Sequence, residues 1–201
     1  MISRLSPLQH RIIETLAGLG WTLTGGGALA GFHLGHRETR DLDFFWRGRT
    51  SLGHLPDDVI GRLRAAGLTA ERQQTAETFC RLLVGDGGDS LPVDLVADQA
   101  PQIEASQEVA PGISVDTPHE ILVNKLTAML SRWAVRDMVD VQALVEAGGD
   151  LERALHDAPK KDGGFSPETL AWVLDTTVAT RAVPLELAAF KELLIKRLLA
   201  P

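Results

Sequence analysis

Apolar positions recur along this chain with two periods. In residues 8–19 they fall at Leu8, Ile12, Leu16 and Leu19, one face of a helix, behind Ser6 and Pro7 as cap and first turn. Residues 21–24 form a short β-prone run that stops at Gly25-Gly26-Gly27, and ALAGFHL then reads as a short helix. In the run that ends at Trp46 the period becomes two: Asp41 and Asp43 alternate with Leu42 and Phe44. A strand of this pattern puts both carboxylates on one face and their apolar neighbours on the other. Residues 57–66 predict a capped amphipathic helix stopped by Gly67, residues 68–74 and 78–84 two strands, and residues 91–96 a third. That third strand carries Asp94 between Val93 and Leu95.

A polar break at residues 97–112, containing Pro101 and Pro111, marks a change of character. The pattern divides the chain into an N-terminal α+β lobe with a mixed sheet, residues 1–110, and a helical lobe, residues 111–201. Thr117-Pro118-His119-Glu120 has the form of a capping box. The run EILVNKLTAMLSRW behind it places Ile121, Leu122, Leu126, Met129, Leu130 and Trp133 on one stripe, with Lys125 at its edge. RDMVDVQALVEAG follows as a second helix, with Asp137 and Asp140 at i and i+3. Residues 149–168 read as a polar loop ending in a cap at Ser166-Pro167-Glu168. Residues 169–180 and 185–199 then read as two closing amphipathic helices.

Composition narrows the class. With 201 residues, 44% hydrophobic and 23% charged, the chain is long enough for a sizeable core and too apolar for wholesale disorder. The single Cys80 forms no intramolecular disulfide, no N-terminal leader is visible, and no apolar run approaches the roughly 18 residues that span a bilayer, so a cytoplasmic protein is expected. A net charge of -7 argues against general DNA binding by overall attraction, while Arg37, Arg40, Arg47 and Arg49 form a local basic stretch suited to an RNA end.

Three features carry candidate chemistry. Two carboxylates on one strand face repel unless a cation lies between them, and Mg²⁺ is typically held by one or two carboxylates plus substrate phosphates. Asp94 makes a third metal ligand if its strand lies beside the Asp41–Asp43 strand; the other reading puts it on a wet face. A strand, a glycine turn and a helix bring backbone N–H groups to an anion, although a glycine run is equally a plain tight turn, and this one fits neither GxGxxG nor GxxxxGK[ST]. On the helices, Asp137 is either an N-cap within a solvated ion network with Lys125, Arg132, Arg136 and Asp140, or part of a site in which Lys125 offsets triphosphate charge. Taken together these parts suit a two-metal nucleotidyl transfer from an NTP.

The stretches LTGGGALAGFHLGHRETRDLDFF and EILVNKLTAMLSRWAVRDMVDVQALV resemble the two signature blocks of the AbiEii/AbiGii-type toxins, nucleotidyltransferases of the DNA polymerase β superfamily. The 15 positions from Lys125 to Asp140 resemble that family's Lys and Asp spacing. The resemblance implies a nucleotidyltransferase-fold N-terminal lobe, a helical lobe and an active site in the cleft between them. It also implies an NTP substrate with Mg²⁺, a tRNA 3′ end as acceptor and a cognate antitoxin protein as partner. Carried over, it puts Asp41 and Asp43 at the metal, Arg37 and Lys125 at the triphosphate and Asp140 in the active site; with the reading of the residues themselves, Asp41, Asp43, Lys125 and Asp140 are the catalytic candidates, Gly25, Gly26, Gly27, Arg37, Thr39 and Lys125 the nucleotide-binding ones, and Asp41, Asp43 and Asp94 the metal ligands. Gly27 stands where the family usually has Ser or Thr, which removes a hydroxyl contact to phosphate. Two other functions stay open at this stage: an antibiotic-modifying nucleotidyltransferase, and a catalytically impaired module that binds NTP or antitoxin.

Overall fold

A computed structural model of the protein describes residues 3–132, 134–178 and 184–200, so Trp133 and residues 179 and 180, all placed in helical runs above, lie outside the described residues. The chain packs as two units. One runs to Ala100 and resumes over Ala105–Thr117; the other joins Pro101–Glu104 to the chain from Pro118 onward. The fold is mixed α+β, as the sequence predicts.

In the first unit α1 (Pro7–Thr15) opens with a full capping box, in which the Gln9 N–H donates to Ser6 Oγ (3.2 Å) and the Ser6 N–H to Gln9 Oε1 (2.8 Å). β1 (Thr22–Thr24) leads directly into α2 (Gly25–Ala28), which widens into a π-type turn over Leu29–His33. The three glycines are therefore the first turn of the helix and not a loop before it. Then come β2 (Leu42–Arg47), α3 (Leu55–Ala65), β3 (Thr69–Thr75), β4 (Phe79–Gly85), β5 (Ser90–Asp98), β6 (Gln107–Ala110) and β7 (Ile113–Val115). α3 starts two residues earlier than expected, with Asp57 and Asp58 in its first turn and no side-chain cap.

The seven strands order as β3-β4-β5-β2-β1-β7-β6, with β2/β5 and β1/β7 parallel and the remaining pairs antiparallel. β2 shows the predicted alternation: Leu42, Phe44 and Trp46 are buried, while Asp43, Phe45 and Arg47 are partly exposed. Trp21 meets Phe44 edge to face at 4.6 Å, a pairing that adds about 0.5–1.5 kcal/mol beyond area burial. The outer strands β3 and β6 are polar and exposed, which discourages edge-to-edge pairing. β6 lies inside the stretch expected to be a plain break and β7 directly after it, so the sheet extends to Val115, past residue 110.

The second unit is helical: α4 (Pro118–Ser131), α5 (Val135–Glu146), α6 (Leu151–Lys161), α7 (Pro167–Val178) and α8 (Leu185–Leu198). α6 corrects the loop expected at residues 149–168. Asp150 caps it by accepting the Arg153 N–H (2.9 Å), Ala154, Leu155 and Ala158 are buried, and Pro159 sits within it. Two ion pairs tie α6 to α4, His119–Asp157 (2.9 Å) and Lys161–Glu120. The second oxygen of Glu120 accepts the N–H groups of Ile103 (2.9 Å) and Glu104 (3.1 Å). None of the described helices is long and apolar enough to cross a membrane.

Candidate active site

The glycine turn, the Asp41–Asp43 segment and the loop between them form one tight assembly in the first unit. Gly25 has φ +60°, and a Cβ there would lie 3.1 Å from Asp43 Oδ2, so the turn is pressed against that carboxylate. A Cβ on Gly26 would meet Thr39 Oγ1 at 2.7 Å and Arg37 Nη2 at 3.2 Å. Thr39 and Arg37 thus lie over the first turn of α2. Thr39 Oγ1 donates to Asp41 Oδ1 (3.0 Å), which fixes that carboxylate just before β2 begins. Arg37 Nη1 donates to Glu38 O (2.9 Å).

Gln9 supports this loop, and sequence reasoning missed it. Its side chain is buried and donates through Nε2 to Thr39 O (3.1 Å), while its Oε1 completes the α1 capping box. Ser6 and Pro7 signalled the cap; nothing local signalled the long-range bond. A groove of about 330 Å³, lined by Arg4, Ser6, Gln9, Glu38 and Thr39 among others, opens beside this loop.

Gly27 packs against the core on the side that a Cβ would occupy. Its Cβ would meet Leu42 Cδ2 at 3.1 Å and Leu23 Cδ1 at 3.3 Å, so a side chain here points between two core leucines. A nearby hydroxyl comes instead from Thr24, the residue before the turn, which is the register partner of Asp43 across β1 and β2. Thr24 Oγ1 is buried and has no hydrogen-bond partner among the described residues. An unsatisfied hydroxyl beside a carboxylate and a glycine turn is costly in isolation and suits a site that gains a polar ligand.

Asp94 is adjacent to Asp43 in the parallel β2/β5 register, so the strand adjacency on which its metal role depends is present. Its carboxylate, however, is closed by Arg81, the direct partner across β4 and β5. Arg81 Nε donates to Oδ1 and Nη2 to Oδ2, each at 2.7 Å, a bidentate pair. The Arg81 guanidinium is held above its ordinary pKa, first by its hydrogen bonding to Asp94 and further by the charges of Asp94, Asp41 and Asp43. Among the described residues no group of three or more Asp, Glu, His or Cys side chains is arranged to hold a metal ion. Asp41 and Asp43 remain as a pair whose chemistry fits a hard divalent cation that also takes phosphate oxygens.

Two of the four arginines expected near an RNA end, Arg40 and Arg49, are exposed, and Arg37 lies over the glycine turn. Arg47 is committed elsewhere: it pairs with Asp98 and, at 2.5 Å, with the buried Asp116, and its guanidinium stacks 4.8 Å from the Phe45 ring.

In the helical unit Lys125 of α4 donates to Asp137 Oδ1 (2.6 Å) and pairs with Asp140 Oδ2 (2.8 Å), both on α5. Both aspartates are fully buried, so this is not the solvated network that one reading expected. Nor does Asp137 cap the helix, because Ala134 occupies that position and Asp137 lies in the first turn. Its Oδ2 faces Arg132 Nε at 3.5 Å. Asp137 was absent from the predicted site, although its i, i+3 spacing from Asp140 was visible.

The fold resembles those of solved structures, a nucleotidyltransferase toxin among them. JHP933 from Helicobacter pylori aligns with a TM-score of 0.56 at 22% identity, covering 95% of this chain and 90% of that one. MenT4, the nucleotidyltransferase toxin Rv2826c from Mycobacterium tuberculosis H37Rv, aligns with a TM-score of 0.56 at 15% identity, covering 91% and 68%. No curated protein matches the chain in sequence. The family model described as "Nucleotidyl transferase AbiEii toxin, Type IV TA system" matches residues 8–200, and the chain therefore belongs to the AbiEii family of nucleotidyltransferase toxins.

Proposed function

We propose that this toxin transfers a nucleoside monophosphate from an NTP to an RNA acceptor, a tRNA 3′ end, at Asp41 and Asp43. The observation that carries the reading is the seating of Asp43 against Gly25, with Asp41 fixed beside it by Thr39. Gly25, Gly26 and Gly27 open a helix, so their N–H groups have no partner within it and suit phosphate oxygens. Arg37 and Thr39, which cover the turn, are assigned to the triphosphate. Asp41 and Asp43 are the residues that would hold Mg²⁺, which when bound offsets charge on the triphosphate and the departing pyrophosphate. The acceptor hydroxyl oxygen bonds to the α-phosphorus as the bond to pyrophosphate breaks, and the hydroxyl proton passes to an aspartate carboxylate.

Lys125 and Asp140, with Asp137, are assigned to the same reaction, Lys125 as the cation for the triphosphate. Exposed Arg40 and Arg49 suit an RNA backbone on a chain whose overall charge of -7 repels nucleic acid. A cognate antitoxin is the expected protein partner, and the cytoplasm the expected compartment. The experiment incubates the protein with each α-labelled NTP, Mg²⁺ and either total tRNA, protein extract or aminoglycoside, alongside the variant carrying Asp41→Ala and Asp43→Ala. Label in tRNA that is lost in the variant is the expected result. Label only in drug or protein replaces the acceptor, and no label anywhere despite NTP binding overturns the enzymatic reading.

A further inference from the structure

Arg81 was not singled out by the sequence, yet it stands in the electrostatic field of Asp41, Asp43 and Asp94. It sits on β4, one strand from Asp94 and two from Asp43, and the register aligns the three positions across the sheet. Strand partners share a face, so the guanidinium and the two carboxylates lie on the same side. Both oxygens of Asp94 are used by the Arg81 fork, while the Arg81 side chain itself is 44% exposed. Nη1 has no hydrogen-bond partner among the described residues. A fork in this geometry resists replacement: a cation that took Asp94 would have to break two charge-assisted bonds and leave Arg81 without its partner beside Asp41 and Asp43.

We infer that Asp94 is not a metal ligand but a positioning residue for Arg81, and that Arg81 presents a phosphate-binding guanidinium beside the Asp41–Asp43 pair. The sheet face then carries two carboxylates for a metal and one fixed cation, where three carboxylates would carry a second metal. A guanidinium held by one carboxylate keeps its remaining N–H edge for another oxyanion, here a phosphate oxygen of either the NTP or the RNA acceptor. The inference rests on the proposed metal role of Asp41 and Asp43, and its test separates the two.

Binding is measured without turnover. Mn²⁺ is titrated into the wild type, Asp94→Asn, and the variant carrying Asp41→Ala and Asp43→Ala. Inorganic tripolyphosphate and a short single-stranded RNA are titrated in EDTA into the wild type, Arg81→Ala and Asp94→Asn. Asp94→Asn is expected to leave the Mn²⁺ Kd within about twofold while the double alanine variant raises it at least about tenfold. A tenfold loss of Mn²⁺ affinity in Asp94→Asn overturns the inference and makes Asp94 a ligand. Mn²⁺ binding indifferent to Asp41 and Asp43 overturns the metal reading instead, and the EDTA titrations still judge Arg81. There, Arg81→Ala is expected to weaken either tripolyphosphate or RNA about tenfold, which identifies the phosphate source, and Asp94→Asn to weaken the same ligand more mildly. Unchanged binding of both ligands in Arg81→Ala overturns the proposal.

Discussion

Lys125 separates two carboxylates that would otherwise face each other out of reach of water. Lys125→Met leaves Asp137 and Asp140 buried without their shared cation, and stripping a buried ion pair of one partner costs about 3–5 kcal/mol. Urea denaturation should show a loss of that size, partly recovered when Asp137→Asn is added, since one buried charge then needs no partner. Recovery would show that the penalty is electrostatic and not a packing defect left by the lysine stem. The same residues mark what a sequence can and cannot say at this scale. The identities and spacings of Lys125, Asp137 and Asp140 were plain, but whether the trio is wet or dry depends on what α4 and α5 bury around it. Asp94 teaches the same point: an acid inside an apolar strand announces a partner, yet the partner, Arg81, is fixed by strand register, which no local pattern encodes. That a side chain at position 27 would point toward Leu23 and Leu42 was likewise invisible in the sequence.

Among the elements, those with strong periodicity were legible and those held by tertiary contacts were not. β2, β4, β5, α4 and α5 each carry an apolar face long enough to read. β6 and β7 are four and three residues long, and β7 exists because β1 offers it a parallel edge. α6 was hidden by Gly148-Gly149 before it, Pro159 within it and the Lys160-Lys161 pair, all of which read as loop. Its anchor is Asp157, whose carboxyl is held down to about 2 from 3.8 by hydrogen bonds from Lys160 and His119. A carboxylate with a depressed folded-state pKa stabilises the fold above its unfolded value and loses that contribution as pH falls through the folded one. Asp157→Asn should therefore destabilise at neutral pH, by roughly 1–2 kcal/mol. The difference from wild type should shrink between pH 3.8 and about 2. Thermal melts of both proteins across that range check it, and a gap independent of pH would assign the effect to packing instead.

At the scale of the whole molecule, the chain is an α+β unit and a helical unit, each with a charged cluster, and it belongs to the AbiEii family of nucleotidyltransferase toxins. In the proposed reaction the chemistry lies with Asp41 and Asp43, the glycine turn, Arg37 and Thr39 serve the nucleotide, and the remaining charged residues serve binding and support. The most direct measurement is the single-turnover rate of α-labelled nucleotide transfer at saturating Mg²⁺ by wild type and by Asp43→Asn, which keeps side-chain shape and removes the charge. The expected result is a fall of at least about hundredfold with an unchanged circular dichroism spectrum. A rate within a few-fold of wild type would contradict it, because the carboxylate seated against Gly25 would then have no part in the reaction.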